Sequence, residues 1–304
     1  MSKLKHIGPL FIIIAALLWS FDGILRRSLY SLPPTLVVFW EHLLGLIILF
    51  PFIISRIKEI KSLTKKEFIA ILIVSLFSGA LGTIFYTAAL GKVNYIQFSV
   101  VVLLQQLQPI WAISTAAIVL KEKIRKSFLI WAVLAIVGTY FVTFKDLKIN
   151  LGSGQTLTAA LLALTAGLLW GSSTSFSKII LKKVSFQLAT LLRFFLAPIF
   201  ALLFLIYFGQ FNLILTPNRQ QWSSLLLITL FTGVFAVLIY YYGLKKTEAK
   251  ISAVCELVWP VSAIFIDYFY FKQFLSVTQI IGVCVVLFSI YKVTRSKNET
   301  KKMA

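Results

Sequence analysis

The chain has 304 residues, of which 59% are hydrophobic and 13% are charged, and its mean hydropathy is +0.92. A soluble domain is roughly 45–50% apolar and about a quarter charged, so composition excludes a soluble, disordered or collagen-like chain. Two cysteines exclude a disulfide scaffold. The net charge of +20 comes from Lys and Arg that lie almost wholly between apolar stretches, which predicts a lipid bilayer and no nucleic acid as partner.

Ten apolar windows are long enough to cross a bilayer as helices, which takes about 17–25 residues each. In chain order these windows are 7–25, 35–55, 68–90, 94–120, 127–144, 156–176, 184–208, 222–244, 251–271 and 274–291. Each is apolar on all sides, whereas a barrel strand alternates apolar and polar residues over about 10 positions. No small-residue cleavage site follows the first window, so we expect it to be retained. The sequence predicts an all-α integral membrane protein with ten transmembrane helices.

Alternate loops between these windows differ in their content of basic residues. One set, which includes both chain ends, holds 22 Lys and Arg, and the other set holds 7. Basic residues concentrate in the cytoplasmic loops of membrane proteins, so this bias predicts that both termini lie in the cytoplasm. That orientation requires an even number of spans, which ten satisfies. We expect a multi-pass protein of the cytoplasmic membrane.

A shift of 151 residues brings the two halves of the chain into register. Trp19 then falls on Trp170, and Pro109 falls on Pro260. These matches are informative because the whole chain has only 7 Trp and 8 Pro. The sequence therefore predicts an internal duplication.

Each half contains five windows, and the register slips by a few residues in the third and fourth, where Leu90 corresponds to Leu244. An odd number of spans makes the second half enter the membrane inverted, as in secondary transporters that bind substrate at mid-membrane between the halves. A duplication without a transport role is the alternative. The predicted units are a first repeat at 7–144, a linker at 145–156, a second repeat at 157–292 and a basic cytoplasmic tail at 293–304.

Both halves resemble the EamA repeat of the drug/metabolite transporter superfamily. The resemblance rests on the Leu-Leu-Trp that ends at Trp19 and at Trp170, on the proline of each fourth helix, and on Glu122 at the end of the first of these helices. The second half departs from the pattern, since Gln273 stands where the family usually has that glutamate. The resemblance implies ten helices in two inverted repeats, export or uptake of small organic solutes, and neither a cofactor nor ATP hydrolysis.

Ionisable residues inside the spans are candidates for a site, because each costs about 2.5–3.5 kcal/mol to insert. Asp22 follows Trp19 by three residues and precedes Arg26 by four, so the three side chains share one helix face. They form either a polar stripe along a cavity or an ion pair at the outer rim. Trp170 and Ser173 repeat the stripe in the second half, with a hydroxyl in place of the charge.

The second and seventh windows carry charged or titratable residues at matching depth. Glu41 and His42 lie about two turns into the former, and Arg193 lies about as deep in the latter. Glu41 and Arg193 are therefore candidates for substrate binding, with mutual neutralisation as the structural alternative. His42 could relay protons, since histidine titrates near neutral pH, or could be a hydrogen-bonded core residue.

Glu256 is the strongest single candidate for a coupling site. It lies four residues before Pro260, which removes a backbone N–H and loosens the preceding turn. A carboxylate beside freed carbonyls suits a proton or a cation, and packing between helices is the alternative. The position 151 residues earlier is Gln105, four residues before Pro109. We therefore predict that Pro109 and Pro260 kink their helices beside the site.

Several aromatic residues share a helix face with polar ones. Trp19, Trp170 and Trp259 do so, and together with Tyr86 and Tyr241 they predict an aromatic-walled pocket. Such walls suit aromatic amino acids through stacking and organic cations through cation–π attraction.

These residues predict a secondary transporter that works by alternating access and is driven by a proton or another gradient. The embedded acids Asp22, Glu41 and Glu256 outnumber Arg193, which favours an amino acid or amine-like metabolite, with quaternary ammonium or drug-like organic cations as the alternative. An integral-membrane enzyme is disfavoured, because two histidines and no paired-carboxylate motif leave no metal or acid–base cluster. We expect a monomer or a weak homodimer.

Overall fold

A computed structural model describes residues 7–92, 105, 107–143, 146, 155–271 and 276–302. All regular structure in these ranges is helical. The first half contains α1 (Ile7–Trp19), α2 (Asp22–Leu25), α3 (Pro34–Ile53), α4 (Lys65–Val74), α5 (Gly82–Leu90), α6 (Gln108–Val119) and α7 (Lys126–Thr143). The second half contains α8 (Gln155–Leu181), α9 (Phe186–Tyr207), α10 (Arg219–Leu227), α11 (Ala236–Lys246), α12 (Ala249–Cys255), α13 (Val258–Phe271) and α14 (Val277–Lys302).

Seven helical stretches among the described residues are long and apolar enough to cross a membrane. They correspond to the windows at 7–25, 35–55, 68–90, 156–176, 184–208, 222–244 and 274–291. The other three windows are represented by shorter pieces: α6, α7, and the pair α12 and α13. Part of the window at 94–120 and most of the linker at 145–156 lie outside the described residues, as does Gln273. The last helix continues to Lys302, so the chain expected as a tail after 292 is helical.

Local sequence signals explain where several helices begin. Pro34 stands in the first turn of α3, where its missing N–H breaks no helical bond. Ser185 caps α9 by accepting from the Leu188 amide at 3.3 Å. Asn218 and Gln221 form a reciprocal capping box at the start of α10.

The two helical stretches at 65–90 and 219–246 each contain a π-helical segment in the middle. Ser75–Leu81 joins α4 to α5, and Ile228–Phe235 joins α10 to α11. The two segments occupy matching positions in the halves, under the same register that pairs Leu90 with Leu244. Backbone groups in a π-segment depart from the regular bonding pattern of the α-helix, and such segments often occur at functional sites.

Many small residues are buried between the helices, and many large apolar residues lie on the outer surface. Ala16, Ala112 and Ala166 are fully buried, whereas Phe52 and Leu203 are exposed. Lipid tails are as apolar as leucine, so helices in a membrane associate through close packing of small side chains. This distribution fits a surface surrounded by lipid.

Two helix crossings are close enough to require glycine. A Cβ placed on Gly243 of α11 would lie 2.7 Å from the carbonyl oxygen of Gly8 in α1. A Cβ on Gly282 of α14 would lie 2.7 Å from the carbonyl oxygen of Gly138 in α7. These contacts hold α1 against α11 and α7 against α14. A polar cavity lies among helices of both halves, and α1 and α11 form part of its wall.

Candidate functional site

A cavity lies among the helices of both halves, and the space open to the centres of water molecules is about 130 Å³. Thirteen of the residues singled out in the sequence line it: Trp19, Asp22, Glu41, His42, Tyr86, Gln105, Pro109, Trp170, Ser173, Arg193, Tyr241, Glu256 and Trp259. Pro260, the other residue predicted to kink a helix, is not part of this lining.

The two matching tryptophans make matching contacts across the halves. The indole Nε1 of Trp19 donates to the carbonyl of Thr232 at 2.9 Å, and that of Trp170 donates to the carbonyl of Ser78 at 3.2 Å. Both carbonyls belong to the π-helical segments. Each tryptophan thus anchors the first helix of its own half to the third helix of the other half.

The same correspondence extends to two tyrosines. The ring centroids of Trp19 and Tyr240 lie 5.1 Å apart at an interplanar angle of 54°. Those of Trp170 and Tyr86 lie 5.1 Å apart, also at 54°. The walls of the cavity therefore consist of two similar aromatic pairs, each built from both halves.

A buried ionic network occupies the cavity beside Trp19. Arg26 Nε lies 2.5 Å from Asp22 Oδ2, and its Nη2 lies 2.8 Å from Glu41 Oε2. The hydroxyl of Thr232 donates to Asp22 Oδ1 at 2.5 Å, and Arg26 Nη1 donates to the hydroxyl of Thr87 at 3.4 Å. All five residues are buried. With both carboxylates ionised, the network has a net charge of −1.

This network answers two questions left open by the sequence. Asp22 and Arg26 do form an ion pair, and the pair lines the cavity instead of lying at the rim. Glu41 pairs with Arg26 and not with Arg193. Arg193 instead donates to the Ser78 carbonyl at 3.2 Å.

Sequence reasoning did not count Arg26 among the embedded charges, because it lies next to Arg27 beyond the apolar window. Its side chain is turned inward by the break after Trp19, where α1 ends and the short α2 begins at Asp22. Thr232 and Thr87 were also missed. Threonines are common in membrane helices, and no sequence signal distinguished these two.

Glu256 lies where the helix predicted at 251–271 is interrupted. Helix α12 ends at Cys255, Glu256 and Leu257 form a turn, and α13 begins at Val258. The carboxylate accepts from Gln108 Nε2 at 2.7 Å, from the Tyr240 hydroxyl at 2.9 Å and from the Ser252 hydroxyl at 3.1 Å. No basic side chain is paired with Glu256 among the described residues. Three neutral donors hold this carboxylate.

Other candidates have partners of their own. The Ser173 hydroxyl donates to the Trp170 carbonyl at 2.8 Å, and the hydroxyls of Tyr241 and Ser177 lie 3.2 Å apart. His42 Nδ1 lies 3.0 Å from the Val38 carbonyl, so this ring nitrogen bonds within its own helix. Pro109 stands in the first turn of α6. The described residues contain no group of three or more His, Cys, Asp or Glu that could hold a metal ion.

Comparison with known proteins assigns the chain to a family. The EamA-like transporter family matches it over residues 6–144 and again over 157–295. The chain belongs to the EamA-like transporter family. It is therefore a multi-pass membrane transporter of the drug/metabolite transporter superfamily, and its relatives are named as transporters, not as enzymes. The family membership suggested by the sequence resemblance is confirmed.

Two relatives and one solved structure extend this result. The chain is 38% identical over 295 residues to the riboflavin transporter ImpX of Fusobacterium nucleatum subsp. nucleatum, covering 96% of this chain and 99% of the relative. An uncharacterized transporter of Clostridium kluyveri is 24% identical over 98% of this chain and 97% of its own. A protein of known crystal structure shares the fold at a TM-score of 0.75 and 17% identity, covering 94% of this chain and 98% of that one.

Proposed function

We propose that this transporter moves riboflavin or a closely similar flavin across the cytoplasmic membrane. The observation that carries the proposal is the lining of the cavity. Its walls are aromatic pairs, and most of its charged side chains are bonded to one another within the protein. A flat, uncharged, heteroaromatic molecule can stack on such walls without breaking the ionic network. The riboflavin transporter with 38% identity over nearly the whole chain supports the same substrate.

The ionic network changes the argument for a cationic substrate. The sequence suggested three embedded acids against one arginine, but Arg26 joins Arg193 in the cavity lining and reduces that excess. An amino acid or amine-like metabolite is the second candidate. It is favoured by Glu256, whose described partners are all neutral and which lines the same cavity as Trp259. Quaternary ammonium compounds are the alternative cations, since they would bind to the same carboxylate and the same aromatic faces. The uptake experiment described below tests them together with amino acids.

Transport by alternating access is part of the proposal. We infer ten spans in two inverted repeats, at 7–144 and 157–292, with both termini in the cytoplasm. Support comes from the bias of 22 to 7 in basic residues and from the reciprocal bonds of Trp19 and Trp170 across the halves. Reporter fusions after Lys66 and after Lys250 should read cytoplasmic, and a fusion after Lys148 should read external. Opposite readings at the first two positions would refute the inverted arrangement.

Glu256 is the proposed site of coupling to a proton or another cation, with His42 as a possible second group. A carboxylate held only by neutral donors can gain or lose a proton without breaking an ion pair. We propose that protonation of Glu256 accompanies the change of access, since Gln108, Tyr240 and Ser252 join it to three different helical segments.

Uptake of radiolabelled riboflavin into proteoliposomes tests the substrate. We expect saturable uptake that excess unlabelled riboflavin abolishes and that amino acids or choline leave unchanged. Replacing the two matching cavity tryptophans, Trp19→Leu with Trp170→Leu, should abolish uptake. Trp131→Leu is the matched control, because Trp131 packs on Phe288 between α7 and α14, away from the cavity. Inhibition by amines or amino acids, with none by riboflavin, would make the second candidate correct.

A further inference from the structure

Two groups of three side chains occupy matching positions in the two halves but differ in their bonding. The first, called here the closed cluster, comprises Gln108, Tyr240 and Glu256. The second, the open cluster, comprises Trp259, Tyr86 and Gln105 in the corresponding places. Gln105 and Gln108 correspond to Glu256 and Trp259 at the shift of 151, and Tyr86 corresponds to Tyr240 in the slipped register of the third helix. Both clusters line the same cavity.

The closed cluster satisfies its polar atoms internally. Gln108 and Tyr240 both donate to the Glu256 carboxylate, at 2.7 and 2.9 Å. Ser252 adds a third bond to the same carboxylate at 3.1 Å. This cluster therefore has its main polar atoms bonded within the protein.

The open cluster leaves the equivalent atoms unbonded. The Tyr86 hydroxyl, Gln105 Oε1 and Trp259 Nε1 are all buried, and none has a hydrogen-bond partner within the described parts of the chain. The three residues are 3%, 6% and 8% exposed. Buried polar atoms are nearly always bonded, and one without a partner costs stability. All three residues line one cavity, and we infer that a ligand supplies the missing partners.

We propose that the open cluster binds the polar edge of the transported molecule and selects it by hydrogen bonding. Trp259 Nε1 can only donate, the Gln105 oxygen accepts, and the Tyr86 hydroxyl can do either. The edge must therefore offer a hydrogen-bond acceptor beside a donor. A cyclic imide or ureide edge on a flat ring has this pattern, with an N–H between two carbonyls.

The surrounding rings set the orientation of that edge. Tyr86 packs on Trp170 at 5.1 Å and faces Trp259 edge-on at 6.5 Å between ring centroids. A planar ligand stacked against these rings can present its edge to the polar atoms that they carry. The inference rests on the proposed function, because the flavin ring carries an imide edge of this kind. In the closed cluster, by contrast, Gln108 and Tyr240 each direct a donor at Glu256.

Binding of riboflavin to the purified full-length protein, followed by quenching of flavin fluorescence, tests the inference. Tyr86→Phe and Trp259→Phe each remove one unbonded polar group and keep an aromatic ring. We expect each to raise the Kd for riboflavin about tenfold, as the loss of a buried hydrogen bond to a ligand does. Riboflavin methylated on the imide nitrogen lacks the donor and should bind the wild-type protein about tenfold more weakly for the same reason.

Thermal unfolding of the ligand-free protein distinguishes a ligand-binding role of the open cluster from a purely structural role. Tyr86→Phe should leave the melting temperature unchanged or raise it, since it removes only a hydroxyl without a partner. Trp259→Phe also removes buried ring volume, so its melting temperature does not enter this test. Tyr240→Phe is the matched control and should lower the melting temperature, because Glu256 loses a donor. A melting temperature lowered by Tyr86→Phe as much as by Tyr240→Phe would show that the Tyr86 hydroxyl has a protein partner and would overturn the inference.

The two proposals fail differently. If wild-type protein binds riboflavin and both open-cluster variants bind it equally well, the inference is wrong and the proposed function stands. If wild-type protein binds no riboflavin, the proposed function is wrong and the inference falls with it.

Discussion

Trp19 and Trp170 make the same contact in the two halves of the molecule but stand in different surroundings. Each donates its indole N–H to a carbonyl in the π-helical segment of the opposite half. Beside Trp19 the neighbouring residues form an ionic network of Asp22, Arg26 and Glu41. Beside Trp170 the corresponding helix positions carry Ser173 and Ser177, whose partners are neutral. The repeated backbone contact is kept, while the chemistry on either side of the cavity has diverged.

This difference matters for a transporter. Symmetric halves would present a substrate with two equivalent binding surfaces. Here the residues beside Trp19 form an ionic network that is bonded within itself, and the open cluster carries polar atoms without partners among the described residues. We propose that this asymmetry favours one orientation of the bound substrate and that Glu256 is the carboxylate that couples transport.

The largest expected effect concerns Glu256, which has Gln105 as its counterpart in the first half. Glu256→Gln makes the two positions alike and removes the carboxylate of the closed cluster. We expect concentrative uptake in proteoliposomes to fall to background, because the proposed coupling group is lost. Exchange of labelled for unlabelled substrate should continue. Glu248→Gln, in the partly exposed turn before α12, is the control and should retain uptake. Normal accumulation by Glu256→Gln would assign Glu256 to helix packing.

The second prediction compares the two arginines of the cavity. Arg26→Met leaves two buried carboxylates without their counter-ion, and we expect a loss of about 3–5 kcal/mol in the free energy of unfolding. Arg193→Met removes a bond to a backbone carbonyl and should cost about 1 kcal/mol. Chemical unfolding in detergent measures both.

Neutralising the acids should rescue the first arginine variant. Adding Asp22→Asn and Glu41→Gln to Arg26→Met should recover part of the lost stability, since no uncompensated charge then remains buried. Equal losses for the two arginine variants would contradict the assignment of the charged network to the protein interior.

The third prediction sharpens the comparison of the two tryptophans. Trp19→Phe should lower the free energy of unfolding by about 1–2 kcal/mol, because it removes a buried bond to the Thr232 carbonyl. Trp170→Phe should cost about 0.5 kcal/mol, since the Ser78 carbonyl also accepts from Arg193 at 3.2 Å and from Thr83 at 3.0 Å. A larger loss for Trp170→Phe than for Trp19→Phe would count against this explanation.

The smallest effect is expected at helix ends that lie beside the loops rich in Lys and Arg, on the predicted cytoplasmic side. Glu122 accepts from the amides of Ala249 and Lys250 at 2.9 and 3.2 Å, so a carboxylate of the first half caps a helix of the second. Glu122→Gln keeps an accepting oxygen but loses the charge, and should cost about 0.5 kcal/mol, as measured by thermal unfolding. The control Glu59→Gln removes the analogous charge from the Ser185 amide, bonded at 2.6 Å, and should have an effect of similar size. A tenfold loss of transport by Glu122→Gln alone would show that this contact has a role beyond capping.

Much of the candidate site was predictable because it follows from few, costly residues. Asp22, Glu41, Arg193 and Glu256 are conspicuous as ionisable groups in apolar windows, and all four line the cavity. Trp19 and Trp170 were recognisable through the internal register. The partners of these residues were not predictable. Arg26 was counted with the loops, and Glu41 was expected near Arg193.

The sequence by itself determined that the chain is a helical membrane protein with a duplicated plan, and it determined which residues share a helix face. Those properties depend on length, apolarity and the helical period, which act locally along the chain. Only the tertiary structure decided which helix faces meet and that the Arg26 side chain turns inward. It also decided that Gln108 and Tyr240 donate to Glu256. The corresponding polar atoms of Trp259 and Tyr86 remain without a bond within the described part of the chain. These outcomes depend on the crossing and rotation of helices distant in sequence, and close packing at glycines such as Gly8 and Gly243 sets that geometry.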